Sequence, residues 1–182
     1  KVHSKLIVIS RRRNFKTSHI VHIGTGNFNE ETARIYCDYS LLTARKKIAE
    51  EGMTEIIELQ TGDSEEIKFE DNSFNAVTVS FGVRNFQHLE KGLQEINRVL
   101  IPGGKLVVLE FSRPSLPGIQ QIYNLYMSVV APSMGKLFSK NGEAYQYLND
   151  SVQKFPEGKN FIKILESVGF KNTSFKRLSL GI

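Results

Sequence analysis

The chain has 182 residues, 40% of them apolar, and 24 Lys and Arg stand against 19 Asp and Glu. That is about one domain's length, with apolar content enough for an ordinary core. The single cysteine, Cys37, excludes an intramolecular disulfide framework and fits a reducing compartment, where a packed thiol is expected.

The longest apolar-leaning stretch, 119–138, is interrupted by Gln, Asn, Ser, Pro and Lys and falls short of a membrane span. No signal peptide is expected from the residues at hand, and the opening Lys1 is read as a sign that the true start of the gene is absent or was removed. A cytoplasmic protein is expected, with membrane contact no closer than peripheral. Of the net charge of +5, residues 1–44 carry +4 and residues 45–182 carry +1. Arg11, Arg12, Arg13 and Lys16 form the basic cluster. It reads as a solvated hairpin turn, and no nucleic-acid partner is expected.

In chain order, Lys5–Ser10 and Ser18–Ile23 read as two strands joined by that basic turn. Gly24-Thr25-Gly26-Asn27 breaks the pattern, and Ala33–Leu42 fits strand or helix. Ala44–Glu51 reads as a helix stopped by Gly52. Ile56–Gln60 is a short strand and Asn75–Phe81 a buried one. Leu89, Leu93, Ile96 and Leu100 recur at helical spacing before the Pro102-Gly103-Gly104 turn, and Leu106–Phe111 is a continuous apolar strand. Strand, helix, turn and strand make a βαβ crossover. After Pro114 come helices over Ile119–Phe138 and Ala144–Phe155, then one presenting Phe161, Ile164, Leu165 and Val168. A polar-faced strand, Phe170–Leu180, follows.

Asp63 and Ser64 follow a short strand, at the kind of turn where doubly wound sheets bind ligands. Three further runs stand out: Phe81-Gly82-Val83-Arg84-Asn85, Arg98-Val99-Leu100 with Pro102-Gly103-Gly104, and Leu109-Glu110-Phe111-Ser112. In this order and spacing, residues 45–182 resemble the ubiquinone/menaquinone biosynthesis C-methyltransferases, of the class I S-adenosylmethionine-dependent group. The resemblance implies that Asp63 and Ser64 lie against the cofactor's adenine, with Ser80 beside it. A carboxylate could accept the exocyclic amine proton on its own chemistry, or simply cap the next turn. Arg84, Asn85, Glu110 and Arg113 are candidates for orienting a quinol hydroxyl, with loop salt bridges as the alternative. Tyr123, Tyr126, Met127, Tyr145 and Tyr147 suit an acceptor with an apolar tail, or ordinary packing. No metal is expected. Asn75 stands where the family usually has Asp, and Ile101 where it has Lys; both positions read as peripheral.

Residues 1–44 fit that family poorly. Gly24-Thr25-Gly26-Asn27 imitates a cofactor loop and Asp38 a ribose-binding acid, but eleven residues between Gly26 and Asp38 are too few for a crossover helix and a new strand. His3-Ser4-Lys5, His22–Asn29 and Thr32–Thr43 instead resemble an internal piece of polyphosphate kinase, a phospholipase D-like fold. That resemblance implies a phosphohistidine at His3, charge neutralisation by Lys5 and nucleotide contact at Tyr36. Such a site needs two His-x-Lys half-sites, and the chain has one.

The expected architecture is therefore α/β: an incomplete Rossmann-like class I methyltransferase sheet with helices on both faces, preceded by a short β-rich phospholipase D-like fragment. The domains are 1–44 and 45–182. The first strand, and with it the second, is expected to be missing, with Gly24–Asn27 apart from Asp63 and a central sheet edge open to other chains. The expected function is S-adenosylmethionine-dependent methylation of a demethylquinol ring carbon, impaired by loss of the glycine-rich loop, so that the cofactor binds weakly or not at all. The alternatives are a polyphosphate kinase fragment and a non-catalytic chimera.

Overall fold

The computed structural model describes residues 4–13, 16–25, 46–114, 118, 121 and 142–178. They fall into two compact units, one reaching to Glu110 and including Val168–Phe170, the other running from Phe111 to Ser167 and resuming at Lys171. The boundary expected between residues 44 and 45 lies at the edge of the stretch outside the described residues.

The two β-branched runs around the basic turn form β1 (Ser4–Arg13) and β2 (Lys16–Thr25), antiparallel over their full length. On one side β1 pairs antiparallel with β3 (Ile57–Gly62). On the other, β2 pairs parallel with β4 (Phe74–Ser80), which pairs parallel with β5 (Leu100–Leu109). The order is β3-β1-β2-β4-β5. The two reversals cancel, so β2, β3, β4 and β5 run in one direction and their carboxyl ends collect on one edge. Only β1 opposes them.

This corrects the expectation of a sheet without its first strands. The spacing argument presumed that a second strand must follow the glycine-containing turn through a crossover. Here the neighbour of β2 precedes it, and an antiparallel pair needs only a tight turn. Residues 4–25 are built into the sheet rather than preceding it. Gly24 lies at the same edge as Gly62 and Asp63, two strands away through the register Gly24↔Lys5↔Thr61. The flank of β4 expected to be open is covered by β2, which removes the basis for association through it.

Alternation along the strands sets the core. Val21, Ile23, Val77 and Val79 are each 0% exposed and share one face of the paired β2 and β4. Helix α1 (Leu89–Val99) connects β4 to β5 and buries Leu93, Ile96 and Val99 at helical spacing, as the sequence predicts. Gly92 belongs to that buried stripe because a Cβ there would collide with the Phe86 ring. Asn75, read as peripheral, ties the hairpin down: its Oδ1 accepts the His19 backbone N–H at 2.9 Å.

The Pro102-Gly103-Gly104 segment is a bulge inside β5 rather than a turn before it. Phe74 pairs with Leu100 and Ala76 with Lys105, so several β5 residues stand opposite Asn75. Gly103 has φ +79°, and a Cβ on Gly104 would lie 2.9 Å from the Ile101 carbonyl oxygen.

In the second unit, α2 (Gly142–Lys154) and α3 (Lys159–Ser167) match the expected helices, with the Phe155 and Phe161 rings 5.2 Å apart. Residues 171–178 form no strand. They pair with no described strand, Asn172 turns at φ +55°, and Phe175 and Leu178 are exposed. The helix expected over 119–138 lies outside the described residues except for residue 121. No described helix is long and apolar enough to cross a membrane.

If β2 is a core strand, Ile23→Ala should cost about 2–5 kcal/mol in urea unfolding, the range for a large-to-small core substitution. A hairpin hanging beside the sheet would lose less than about 0.5 kcal/mol.

Candidate active site

The shared carboxyl edge carries Gly24-Thr25 on β2, the Asp63-Ser64 turn after β3, Ser80 at the tip of β4, and Glu110 just past β5. Gly24 is in register with Ser80. Asp63 is half-buried, and its Oδ1 accepts the Glu65 N–H at 2.9 Å, so one carboxylate oxygen caps the turn and the other is left to accept from a ligand. Ser64 is 1% exposed. Its hydroxyl therefore lies beneath the surface of the turn.

The loop from Asp63 to β4 is held by two residues of α1 that the sequence reading did not single out individually. Arg98 and Glu95 face each other as a fork, Nε to Oε1 and Nη2 to Oε2, both 2.9 Å. The same guanidinium donates to the carbonyls of Ile67 and Phe69 and to Asp71, while Glu95 accepts the Ile67 N–H at 2.9 Å. One arginine thus satisfies several loop acceptors that would otherwise need water. The hydrogen bond from Arg98 draws the Glu95 carboxyl below its ordinary value, and Glu95 with Asp71 pushes Arg98 up. The sequence signal was available: Arg98 opens one of the singled-out runs and Glu95 stands three residues before it on the helix.

At the tip of β4 the chain turns sharply. Phe81 has φ +52°, and its N–H donates to the Leu109 carbonyl at 2.8 Å. Its own carbonyl accepts from Arg84 Nη1 at 2.8 Å and from Asn85 Nδ2 at 3.2 Å. Arg84 Nη1 also meets Glu110 Oε1 at 2.6 Å, in an ion pair whose side chains are 7% and 6% exposed. The Arg84 backbone N–H reaches Glu110 Oε2 at 3.3 Å. Arg84, Asn85 and Glu110 are therefore one buried cluster rather than separate surface residues. Beneath the edge, His22 Nδ1 lies 2.8 Å from Thr78 Oγ1, and burial lowers the His22 pKa.

Arg113 belongs to the second unit. There its Nε and backbone N–H both donate to Glu157 at 2.8 Å, and Tyr147 is partly exposed. His3, Tyr36, Tyr123, Tyr126 and Met127 lie outside the described residues, as does the Tyr145 side chain. Among the described residues, no group of three His, Cys, Asp or Glu could hold a metal ion. A shallow depression bounded by Ser10, Ile48 and Ile56–Leu59 lies at the opposite, amino-end edge of β3 and holds none of these residues.

Parallel strand ends that bring an acidic turn and buried polar groups to one edge are where α/β sheets of this kind generally bind ligands, which makes this edge the candidate site. The sequence model of the ubiE/COQ5 methyltransferase family matches residues 25–182. The chain belongs to that family. The match begins at the last residue of β2, upstream of the expected start at residue 45. A demethylmenaquinone methyltransferase of Bacteroides fragilis is 42% identical over 138 residues, 76% of this chain and 56% of that protein. The ubiquinone/menaquinone biosynthesis C-methyltransferase UbiE of Roseobacter denitrificans is 41% identical over 78% of this chain and 57% of its own length. The mitochondrial 2-methoxy-6-polyprenyl-1,4-benzoquinol methylase of Mus musculus is 37% identical over 80% and 46%. The chain thus spans about half the length of these relatives. Among solved structures, a SAM-dependent methyltransferase from Thermotoga maritima gives a TM-score of 0.41 at 21% identity, over 61% of this chain and 44% of that one.

The Glu95–Arg98 fork makes stability depend on acid. Because the folded Glu95 pKa lies below the ordinary 4.5, its contribution is fully present above pH 4.5 and is lost as pH falls through the lowered value. Urea midpoints taken from pH 5 down to pH 3 should fall less steeply in Glu95→Gln than in the parent. Identical slopes would remove the fork from the account.

Proposed function

We propose that the chain binds S-adenosyl-L-methionine along the carboxyl edge of the sheet and places its methyl group against a ring carbon of a quinol with an apolar tail. The carrying observation is the register of Gly24 with Ser80, which sets the start of the family-matched segment beside the β4 tip, on the edge that also holds Asp63. The donor set suits the cofactor, since a half-buried carboxylate with one oxygen engaged offers its second oxygen to an amine N–H. β2 supplies a strand in the position from which a cofactor loop would leave, while residues 26–45, on which the expected impairment turns, lie outside the described residues.

When bound, the sulfonium supplies a methyl group already activated for in-line displacement. The protein's part is then alignment and exclusion of water. Asp63 would take the adenine amine, with the Ser64 backbone bordering the ring. Ser80 and the Gly24 backbone would line the cofactor's path across the edge. An aromatic carbon that gains a methyl group must shed its proton, which is easier when the neighbouring quinol oxygen carries negative charge. The Arg84 guanidinium, its charge shared with Glu110, would bias the local field toward that anion from behind the turn, and Asn85 fixes the turn. The acceptor's tail would bring the protein to a membrane surface. Residues 4–13 and 16–25 serve in this reading as the strands that carry the edge, and no phosphotransfer role is given to His3 or Tyr36.

Isothermal titration of the chain with S-adenosyl-L-methionine should give a micromolar Kd. Asp63→Ala should weaken it by about 1.5–3 kcal/mol, the worth of a hydrogen bond to a charged group. Absence of binding heat, or an Asp63→Ala variant that binds equally well, would contradict the proposal.

A further inference from the structure

Phe81 is a bulky aromatic residue in the left-handed backbone region, at φ +52°, and its side chain is exposed: the residue is 41% accessible. Backbone demands alone would favour glycine or asparagine there, since an aromatic residue at positive φ is a true outlier. Such a conformation persists only where its surroundings over-determine it, and outliers of this kind gather at functional sites. The surroundings here are explicit. The Phe81 N–H is tied to the Leu109 carbonyl, and its carbonyl to Arg84 and Asn85. Arg84 is in turn anchored on Glu110 through both its side chain and its backbone N–H. Two buried charged groups and a buried amide thus hold one turn whose side chain remains accessible. If the turn were the only purpose, a glycine would serve with none of this bracing.

The position fixes what the ring could meet. Phe81 directly follows Ser80, and on the adjoining strand Leu109 and Val107 are also exposed, at 42% and 56%. These apolar side chains belong to the strand whose Leu109 carbonyl receives the Phe81 N–H. Flat aromatic ligands favour such a surface, because offset or edge-on ring pairs gain beyond the area they bury. We propose that Phe81 is the acceptor-binding platform: its ring is exposed at the β4 tip so that the ring of an aromatic diol lies against it. This rests on the quinol methyltransferase reading and adds to it the residue that grips the acceptor ring.

The test uses the intact chain and its Phe81→Gly, Phe81→Asn and Phe81→Tyr variants. Each is titrated separately, under anaerobic conditions, with 1-naphthol, a two-ring aromatic whose single hydroxyl prevents direct quinol–quinone cycling, and with S-adenosyl-L-methionine, and each is melted. Glycine and asparagine both accept the left-handed turn, so Phe81→Gly and Phe81→Asn delete the ring without breaking the fold, and Phe81→Gly should melt no lower than the parent. The expected result is about tenfold weaker 1-naphthol binding in both ring-deleting variants, the worth of one aromatic stack. Phe81→Tyr should stay within about twofold of the parent, and cofactor affinity should not change. The proposal is overturned if the parent does not bind 1-naphthol, if the ring-deleting variants bind it equally well, if Phe81→Tyr loses as much as Phe81→Gly, or if cofactor affinity falls in step with naphthol affinity. Methyl transfer to a demethylmenaquinol, measured in parallel, separates the two readings. A parent that binds 1-naphthol with the expected variant pattern but transfers no methyl group supports the platform and removes the methyltransferase reading. Transfer at equal KM by parent and Phe81→Gly does the reverse.

Discussion

The parallel ladder between β2 and β4, Ile20 to Gly24 against Ala76 to Ser80, is the constraint on which the rest of this molecule depends. It places two pairs of fully buried valine and isoleucine side chains on one face, and it sets Gly24 beside Ser80 at the carboxyl edge of the sheet. Without it, β4 would present an unpaired flank, and β3 would have no path to the sheet, since β3 reaches it only through β1. A tight antiparallel turn contributes two strands at the small entropic cost of a short loop, where a parallel pair would need a crossover of a dozen residues or more.

Two Arg–Glu pairs translate that frame into a site. Arg98 with Glu95 gathers the loop after Asp63, and Arg84 with Glu110 gathers the turn after Ser80. They differ physically. The first is partly solvated and spends its donors on loop carbonyls, so it fixes backbone position. The second is nearly closed to water, where an ion pair is costly to desolvate and adds little net stability over an apolar pair, while removal of one partner strands a buried charge. A buried pair of that kind at the end of two parallel strands makes more sense as a positioning element than as a stabiliser. It holds Phe81 in a backbone region the residue would not choose.

Much of this was legible from residues alone. The hairpin, β3, β4, α1 and the two helices α2 and α3 follow from alternation, helical spacing and glycine stops. The family resemblance drew attention to Asp63, Ser80, Arg84, Asn85 and Glu110 before any geometry was known. Three things were not legible, each for a physical reason. The place of the hairpin depends on non-local pairing, which periodicity does not encode, and counting residues downstream of Gly26 could not reveal that the neighbouring strand lay upstream. The Pro102-Gly103-Gly104 segment carries a turn's composition but is absorbed as a bulge, because Asn75 can oppose several residues at once. The positive φ of Phe81 has no sequence signature at all, since an aromatic residue followed by Gly82 reads simply as the end of a buried strand.

The central claim is that the amino-terminal hairpin is an integral part of the methyltransferase-family sheet. Native-state amide hydrogen exchange, resolved by residue, tests it most directly. If the claim holds, the ladder amides of β2 between Ile20 and Gly24 exchange only through global unfolding, with the same protection free energy as those of β4 between Ala76 and Ser80. Rapid exchange of the β2 amides while those of β4 and β5 stay protected would contradict it.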